Sequence, residues 1–171
     1  PQTAVIEAAQ QLKKRGGWLI VDEAFIDATP ADSVAALAGT AEAPNLIVLR
    51  SLGKFFGLAG ARVGFILAAP DLLARMSETM GPWAVSGPAR AVARLALQDS
   101  AWQETTRARL QTAGERLHAL LAPLGEVKST ALFATLSTPH ANELHEALAR
   151  QGILTRRFEQ QPLLRFGLPG A

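Results

Sequence analysis

Four polar side chains in the first part of the sequence have types and spacing that suit covalent chemistry. Lys54 lies in the stretch SLGKFFGLAG, directly after the apolar run LIVL, and its amine can form a Schiff base with a carbonyl group. Ser51 and Arg62 lie on either side of it, and a hydroxyl with a planar guanidinium suits a phosphate group. Asp22 directly follows another apolar run, WLIV. We therefore treat the amine, the phosphate-binding pair and the carboxylate as one candidate site.

Together these groups match the needs of pyridoxal phosphate. Its aldehyde forms a Schiff base with a lysine, and a buried carboxylate, here Asp22, pairs with the ring nitrogen and keeps it protonated. A protonated ring is the better electron sink for a developing carbanion. Four glycines of the same stretch let the backbone pass close to a cofactor and turn sharply: Gly53, Gly57, Gly60 and Gly64.

Each residue taken alone has a simpler interpretation. A lone lysine after a strand is usually solvated, Asp22 can cap a turn, and Arg62 can pair with any acid. The glycines fit neither the Walker loop nor the GxGxxG pattern of dinucleotide-binding folds. The separate residues therefore leave a solvated surface and a cofactor site both open.

Three apolar runs predict the strands that position these residues. They cover 18–21, 45–49 and 63–68, and helices are predicted over 4–14 and 33–38. Continuous apolar strands joined by helices are typical of an α/β sheet covered on both faces. Because ligands gather outside the carboxyl ends of parallel strands, we expect the carboxylate and the amine to face one crevice.

After residue 70 the pattern changes to longer helices and shorter strands. The predicted helices cover 71–80, 87–121 with a break near Asp99, and 142–151. The predicted strands cover 127–136, 153–157 and 163–167. This order of elements is typical of a small α+β unit packed beside the first sheet.

The composition argues against several classes of function. Of the 171 residues 49% are apolar and 19% charged, as in globular proteins, and a formal charge of +2 gives little support for a nucleic-acid partner. The chain has no cysteine, and His118, His140 and His145 lack the HExxH spacing of a zinc helix, so no metal site is expected. Without an apolar run long enough for a membrane or a signal pattern, we expect a cytoplasmic location and no membrane partner.

The stretch from Ser51 to Gly64 resembles, position by position, the lysine signature of the class I/II aminotransferase family. The sequence VDEAF, residues 21–25, resembles the strand-end motif of the same family, and the spacing between the two motifs is also as in the family. The resemblance implies a pyridoxal phosphate enzyme of fold type I. In such an enzyme Lys54 forms the Schiff base and Asp22 pairs with the pyridine nitrogen.

The same resemblance makes Ser51 and Arg62 phosphate ligands and brings Phe25 to the cofactor. Phe25 is a departure from the family, which commonly has a tyrosine there whose hydroxyl meets the ring oxygen of the cofactor. The chain contains no tyrosine at all. The missing donor is a hint against ordinary transamination.

Two further stretches resemble one subgroup, the threonine-phosphate decarboxylases of cobalamin biosynthesis, which are related to the histidinol-phosphate aminotransferases. They are GPWAVSGPA, from Gly81 to Ala89, and RFGLPG near the end of the chain. The resemblance implies that Arg165 binds the α-carboxylate of the substrate through a bidentate pair and that Trp83 lies near the substrate. The alternatives are an arginine on a strand surface and a tryptophan that packs at a hinge.

The subgroup implies decarboxylation of L-threonine O-3-phosphate to aminopropanol phosphate. The tandem Arg156-Arg157 can help to hold such an anionic substrate, or it can form a solvated strand edge. A histidinol-phosphate-type aminotransferase is the first alternative, because the bond that breaks is the one perpendicular to the cofactor ring and the sequence does not fix that orientation. A non-catalytic binding module that retains the fold is the second.

The resemblance covers the C-terminal part of the family's enzymes. It assigns residues 1–80 to the large cofactor-binding domain and 81–171 to a connecting helix with a small domain. A glycine turn, a ring-stacking aromatic residue and an asparagine that complete the family's cofactor site belong to segments absent from this chain. The start at Pro1, without methionine, also predicts a piece of a longer protein. We expect this piece alone to bind pyridoxal phosphate poorly and to be inactive, and the complete enzyme to be a homodimer.

Overall fold

The computed structural model describes residues 2–168, and the chain divides after Ser100 into two units. The first contains helices α1 (Gln2–Lys13), α2 (Pro70–Met80) and α3 (Gly87–Gln98) and strands β1 (Leu19–Asp22), β2 (Leu46–Ser51) and β3 (Gly64–Leu67). From the boundary residue onward follow helices α4 (Ser100–Leu121) and α5 (Ala141–Arg150) and strands β4 (Glu126–Ser129), β5 (Phe133–Ser137), β6 (Arg156–Phe158) and β7 (Leu163–Gly167). The first unit thus includes α3, which the resemblance placed beyond the end of the large domain. The assignment of 1–80 and 81–171 to two functional domains stays a prediction.

The sheet of the first unit has the order β1-β2-β3. Strands β1 and β2 are parallel, with Asp22 opposite Leu49. Strands β2 and β3 are antiparallel, with Ser51 opposite Gly64. The carboxyl ends of β1 and β2 therefore lie at the same edge of the sheet, which confirms the arrangement expected from the apolar runs.

One face of this sheet carries the core of the first unit. Its fully buried members are Ala9, Ala43, Leu46 and Val48, with Val34 almost fully buried, and Leu19 and Val21 pack against them. On the other face of β1, Ile20 is 61% exposed. The expectation of a sheet covered on both faces is therefore wrong for the described residues, because the core residues of α1 and of the segment before β2 cover only one face.

The sheet of the second unit is antiparallel throughout, in the order β4-β5-β7-β6. Its core contains Leu121, Ala134 and Leu136, with Leu144 of α5 and Phe166 of β7 packed against them. Strand β7 has the bounds that the sequence predicted.

The strand predicted over 127–136 is wrong, because the structure has the hairpin of β4 and β5 in its place. Thr130 makes the turn: its backbone N–H donates to the carbonyl oxygen of Phe133 (2.8 Å), and its Oγ1 accepts from the N–H of Phe133 (3.3 Å). The alternation of apolar and polar residues stops at this turn, where three polar residues, 128–130, are followed by four apolar ones, 131–134, and this break was overlooked.

Two expectations about helices had different outcomes. The break near Asp99 between α3 and α4 is confirmed. The helix predicted over 33–38 is wrong, because the chain there forms only the last of three short 3-10 turns, Ile26–Ala28, Pro30–Asp32 and Ala35–Leu37. Within residues 2–168 no helix is long and apolar enough to cross a lipid bilayer.

Candidate active site

Lys54 is an exposed residue held between buried neighbours. Leu52 before it is 1% exposed, and Phe55 and Phe56 after it are 5% and 8% exposed. The two phenylalanine rings pack edge to face, with 5.1 Å between their centroids. Burial on both sides fixes the backbone of this turn and leaves the lysine side chain directed away from the core.

Hydrogen bonds close the same turn. The backbone N–H of Gly53 donates to Oγ of Ser51 (3.0 Å), and the N–H of Gly57 donates to the carbonyl oxygen of Lys54 (3.1 Å). Gly57 has φ of +67°, a conformation that glycine adopts without steric cost. The serine hydroxyl accepts one bond from the protein and keeps its own proton for a ligand.

Arg62 has an unusual backbone conformation. Its φ of +55° makes it the only residue other than glycine with positive φ among those described. A left-handed conformation costs a non-glycine residue about 1–2 kcal/mol, and such strain persists where the surroundings impose it. One guanidinium nitrogen, Nη1, donates to the carbonyl oxygen of Ala59 (3.2 Å), so the remaining donors of the group are available to a ligand.

Three of the predicted site residues meet at one cavity. Its volume is about 310 Å³, and Ser51, Lys54 and Arg62 line it together with glycine, alanine, leucine and valine residues of the same loop. None of the lining residues is acidic. A hydroxyl, an amine and a guanidinium around a small space without carboxylates form a donor set that fits a phosphate group.

Phe25 contacts the lysine directly. The Nζ atom of Lys54 lies 5.3 Å from the centroid of the Phe25 ring, within the range of a cation–π interaction. Phe25 follows the end of β1, whereas Lys54 follows the end of β2. The contact therefore joins the loops that leave the two parallel strands at the same edge of the sheet.

Asp22 ends β1 on the exposed face that also carries Ile20. Its Oδ1 accepts from the backbone N–H of Ala24 (2.9 Å), so the carboxylate caps a turn as one interpretation expected. The expectation of a buried carboxylate is wrong in the described chain, because β1 is an edge strand with this face uncovered. The second oxygen, Oδ2, is compatible with a bond to a ligand at the strand end.

Two buried acids in the loop after β1 were missed by the sequence analysis. Glu23 is 5% exposed and Asp27 is 6% exposed. Asp27 forms an ion pair with Arg50, the residue of β2 that precedes Ser51. The available signal was Arg50, which stands between the apolar run LIVL and the stretch SLGK, since a charge on a central strand needs a partner.

Trp83 does not line this cavity, and Arg165 belongs to the second unit. Trp83, between α2 and α3, is 90% exposed. A larger cavity of about 750 Å³ between β3 and α3 is lined by its neighbours Pro82 and Ala84 but not by Trp83 itself. In the second unit, the guanidinium of Arg165 lies 4.7 Å from the ring centroid of Phe133.

Arg165 also has a second arginine beside it. In the register of β6 and β7 it lies opposite Arg156, whose guanidinium is 5.5 Å from the Phe158 ring centroid. The last two residues of the LLRFGLPG stretch, Pro169 and Gly170, lie outside the described residues.

Comparison with known proteins identifies the family. The profile of aminotransferase class I and II matches residues 3–170. The chain belongs to this family. The stretch around Lys54 had indicated this family by its resemblance, and the match across nearly the whole chain confirms that prediction.

Similar curated proteins include two kinds of enzyme. A threonine-phosphate decarboxylase of Pseudomonas aeruginosa is 53% identical over 161 residues, which cover 93% of this chain and 48% of that protein. A histidinol-phosphate aminotransferase of Symbiobacterium thermophilum is 35% identical over 171 residues, covering 97% of this chain and 45% of that protein. The chain thus spans about half the length of the curated relatives it matches.

Solved structures confirm the fold. The histidinol-phosphate aminotransferase of Sinorhizobium meliloti, solved in complex with pyridoxal-5'-phosphate, aligns with a TM-score of 0.81 and 23% sequence identity. The alignment covers 98% of this chain and 48% of that one. The architecture is therefore that of the class I/II aminotransferases, an α/β large-domain portion followed by a small α+β unit.

Proposed function

We propose that this chain is part of a longer enzyme that uses pyridoxal phosphate to decarboxylate L-threonine O-3-phosphate to aminopropanol phosphate in cobalamin biosynthesis. The observation that carries the proposal is the cavity shared by Ser51, Lys54 and Arg62, whose groups suit the phosphate and the aldehyde of one cofactor. The 53% identity to a threonine-phosphate decarboxylase supports the choice of reaction. Below, the complete enzyme means the protein that contains this chain and the remaining half.

Each residue of the site would bind a different part of the cofactor. Ser51 donates its hydroxyl proton, and Arg62 donates from its guanidinium, to the cofactor phosphate. Lys54 would bind the aldehyde carbon through Nζ, and Asp22 would accept a hydrogen bond from the ring nitrogen through Oδ2, because its Oδ1 already accepts from the N–H of Ala24. When bound there, pyridoxal phosphate supplies an electron sink for the pair released at Cα of the substrate.

Lys54 would also have a role in the reaction itself. Its amine would be the group of this chain best suited to deliver a proton to Cα of the substrate. The cation–π contact with Phe25 keeps that amine at the mouth of the cavity. Phe25 has no hydroxyl to donate to the ring oxygen of the cofactor.

The second unit supplies groups for an anionic substrate. We propose that Arg165 binds the α-carboxylate as a bidentate pair. Arg156, its partner in register on β6, adds positive charge on the same strand pair and suits the phosphate of the substrate. Trp83 is proposed to contact the substrate from the loop before α3, where its exposed ring has an open side.

An aminotransferase of the histidinol-phosphate type is the second candidate. The 35% identity to such an enzyme over 97% of this chain favours it. The same Lys54 serves both reactions, because removing a proton from Cα instead of carbon dioxide leads to transamination. A non-catalytic binding module is disfavoured by Lys54, Asp22 and Arg62, which a binding module has no need to keep.

We further propose that the complete enzyme is a cytoplasmic homodimer. Family sites are formed at subunit interfaces, and the exposed face of β1 leaves Ile20 and Asp22 uncovered in this chain. An assembly that covers this face also buries the carboxylate of Asp22.

A two-product assay separates the candidate functions. The complete enzyme is incubated with pyridoxal phosphate, O-phosphothreonine and 2-oxoglutarate, and carbon dioxide and glutamate are measured together. The proposal expects carbon dioxide and aminopropanol phosphate with little glutamate, and neither product from the K54A variant. Glutamate without carbon dioxide moves the enzyme to the aminotransferases. Neither product, with no cofactor bound, favours the binding module.

A further inference from the structure

The segment that follows β1 is held in place by hydrogen bonds at both of its ends. We call residues 23–34 the strand-end loop. At its start, the backbone N–H of Glu23 donates to the carbonyl oxygen of Leu49 on β2 (2.8 Å). The side chain of Glu23 binds the other end of the strand-end loop. Its Oε1 accepts from the backbone N–H of Val34 (2.6 Å), and its Oε2 accepts from the hydroxyl of Ser33 (2.8 Å). One buried carboxylate therefore closes the loop on itself.

The middle of the strand-end loop is tied to β2 by an ion pair. Asp27 lies in the 3-10 turn Ile26–Ala28, and its Oδ1 accepts from Nη2 of Arg50. The Asp27 side chain is 9% exposed and the Arg50 side chain 27% exposed. A charge buried to this extent is stable only while its partner stays in place. The pair therefore fixes the distance between the strand-end loop and the end of β2.

Phe25 lies close in sequence to Asp27, and Lys54 lies close in sequence to Arg50. Phe25 is two positions before Asp27 and two after Glu23, so the backbone is anchored on both sides of it. Lys54 follows Arg50 in the loop that buried Leu52 holds down. The ring centroid of Phe25 and Nζ of Lys54 are 5.3 Å apart. The ion pair and the cation–π contact are thus two links between the same two segments.

We propose that the Asp27–Arg50 ion pair is a positioning pair for the reactive lysine and that it acts through Phe25. The pair holds the strand-end loop so that the Phe25 ring lies beside Nζ of Lys54. A lysine side chain has several rotatable bonds, and a contact that restricts them lowers the entropy lost when the amine reaches its target. The proposal rests on the proposed role of Lys54 as the residue that binds the cofactor aldehyde.

This arrangement separates two steps of cofactor capture. Initial binding depends on the phosphate ligands Ser51 and Arg62, which line the cavity, whereas Asp27 and Arg50 are not among the residues that line it. Formation of the covalent bond depends on where Nζ of Lys54 lies, which the ion pair influences. Loss of the pair is therefore expected to slow bond formation and to leave the first binding step nearly unchanged.

Stopped-flow mixing measures both steps. The cofactor-free complete enzyme is mixed with increasing pyridoxal phosphate, and the absorbance change on bond formation is followed. The concentration dependence gives a dissociation constant for the initial complex and a first-order rate constant for the bond. For D27N and for F25L we expect the rate constant to fall about tenfold and the initial dissociation constant to stay within about twofold.

A double-variant cycle tests whether the ion pair acts through Phe25. If it does, D27N combined with F25L is no slower than F25L alone, because the ring that the pair positions is already gone. A rate equal to the product of the two single effects overturns the proposal. So does an unchanged rate in either single variant. The matched control is E126Q, which removes the exposed Glu126–Lys128 pair and is expected to change neither constant.

Folding and the proposed function are checked in the same samples. The melting midpoint is measured first, and a variant with a lowered midpoint but wild-type rate constants shows a merely structural ion pair, which overturns the proposal. If D27N does not fold, R50K replaces it in the cycle, because a lysine keeps a charge opposite the buried Asp27 but lacks the guanidinium that holds the loop, and a smaller fall of the rate constant is then expected. Failure of the wild-type enzyme to form any bond at Lys54 refutes the proposed function instead, and is recognised before any variant is compared.

Discussion

Ser51 and Gly64 face each other across the antiparallel strands β2 and β3. The chain between them carries Lys54 and returns to the sheet at Arg62, so the two ends of this loop meet beside one cavity. This pairing explains why a hydroxyl, an amine and a guanidinium separated in sequence share one small space. It also explains why Arg62 has to adopt a left-handed backbone, because the chain turns there to enter β3.

Because Arg62 has a left-handed backbone conformation, replacing it with glycine is expected to affect stability and cofactor binding in opposite directions. R62G in the complete enzyme removes a strain of about 1 kcal/mol and is expected to keep or raise the melting midpoint. The same change removes a charged donor and is expected to weaken pyridoxal phosphate binding by about tenfold or more. Isothermal titration measures the affinity.

Two controls make this prediction specific to the phosphate. Pyridoxal, which lacks the phosphate, is expected to bind R62G and wild type equally. R62K keeps a charge without the planar fork and is expected to bind pyridoxal phosphate with intermediate affinity. Equal loss of affinity for pyridoxal and pyridoxal phosphate contradicts the role given to Arg62.

Replacing Asp22 with asparagine removes the charge of the side chain but keeps the oxygen that caps the turn. In D22N the side-chain oxygen still accepts from the N–H of Ala24, so the strand end is expected to fold as before. The amide does not keep the ring nitrogen of the cofactor protonated, and turnover of the complete enzyme is expected to fall about 100-fold or more. Initial-rate assays with matched melting curves check both parts, and full activity in D22N rules out the ring-nitrogen role.

Replacing Phe25 with tyrosine, the residue that is common at this position in the family, is expected to strengthen cofactor binding. F25Y keeps the ring beside Lys54 and adds a hydroxyl that can donate to the ring oxygen of the cofactor. One added hydrogen bond is expected to tighten pyridoxal phosphate binding by about two- to tenfold and to change the absorbance spectrum of the bound cofactor. The wild type is the control, because its Phe25 keeps the ring beside Lys54 without the hydroxyl. An identical spectrum and affinity in F25Y would mean that position 25 is not at the cofactor.

Gly125 gives a stability prediction that is independent of the cofactor. A Cβ at this position would overlap with the carbonyl oxygen of Ser137, so G125A must displace the start of β4 from β5. The free energy of unfolding is expected to fall by more than about 2 kcal/mol in urea titrations. G167A on β7 is the control, because a Cβ there meets no atom within 4 Å and is expected to change stability little.

The strands that position Lys54 were predictable because their apolar runs are continuous and end at polar residues. Residues 45–49 predicted β2 to within two residues, and the sequence placed Asp22 and Lys54 at strand ends on the same edge. The hairpin turn at Thr130 was missed although the sequence carries a sign of it, since three consecutive polar residues, 128–130, end the alternation there. A cluster of polar residues between two apolar stretches is typical of a turn.

The contacts that hold the site together were not readable from the sequence. The Asp27–Arg50 pair joins residues 23 positions apart, and no local pattern selects the partner of a buried charge. The exposure of Asp22 had a different cause, because a run of apolar residues does not tell which face of an edge strand is covered. Long-range pairing and the covering of the sheet are properties of the folded chain.

Trapping with borohydride tests the central claim most directly. The complete enzyme is saturated with pyridoxal phosphate, reduced with borohydride and digested, and the modified lysine is located by peptide mass. We expect the label on Lys54 in the peptide that contains SLGKFFGLAG, no label in K54R, and none on the exposed Lys128 of the wild type. A label on another lysine, or none in a correctly folded enzyme, contradicts the assignment of Lys54 as the residue that binds the cofactor.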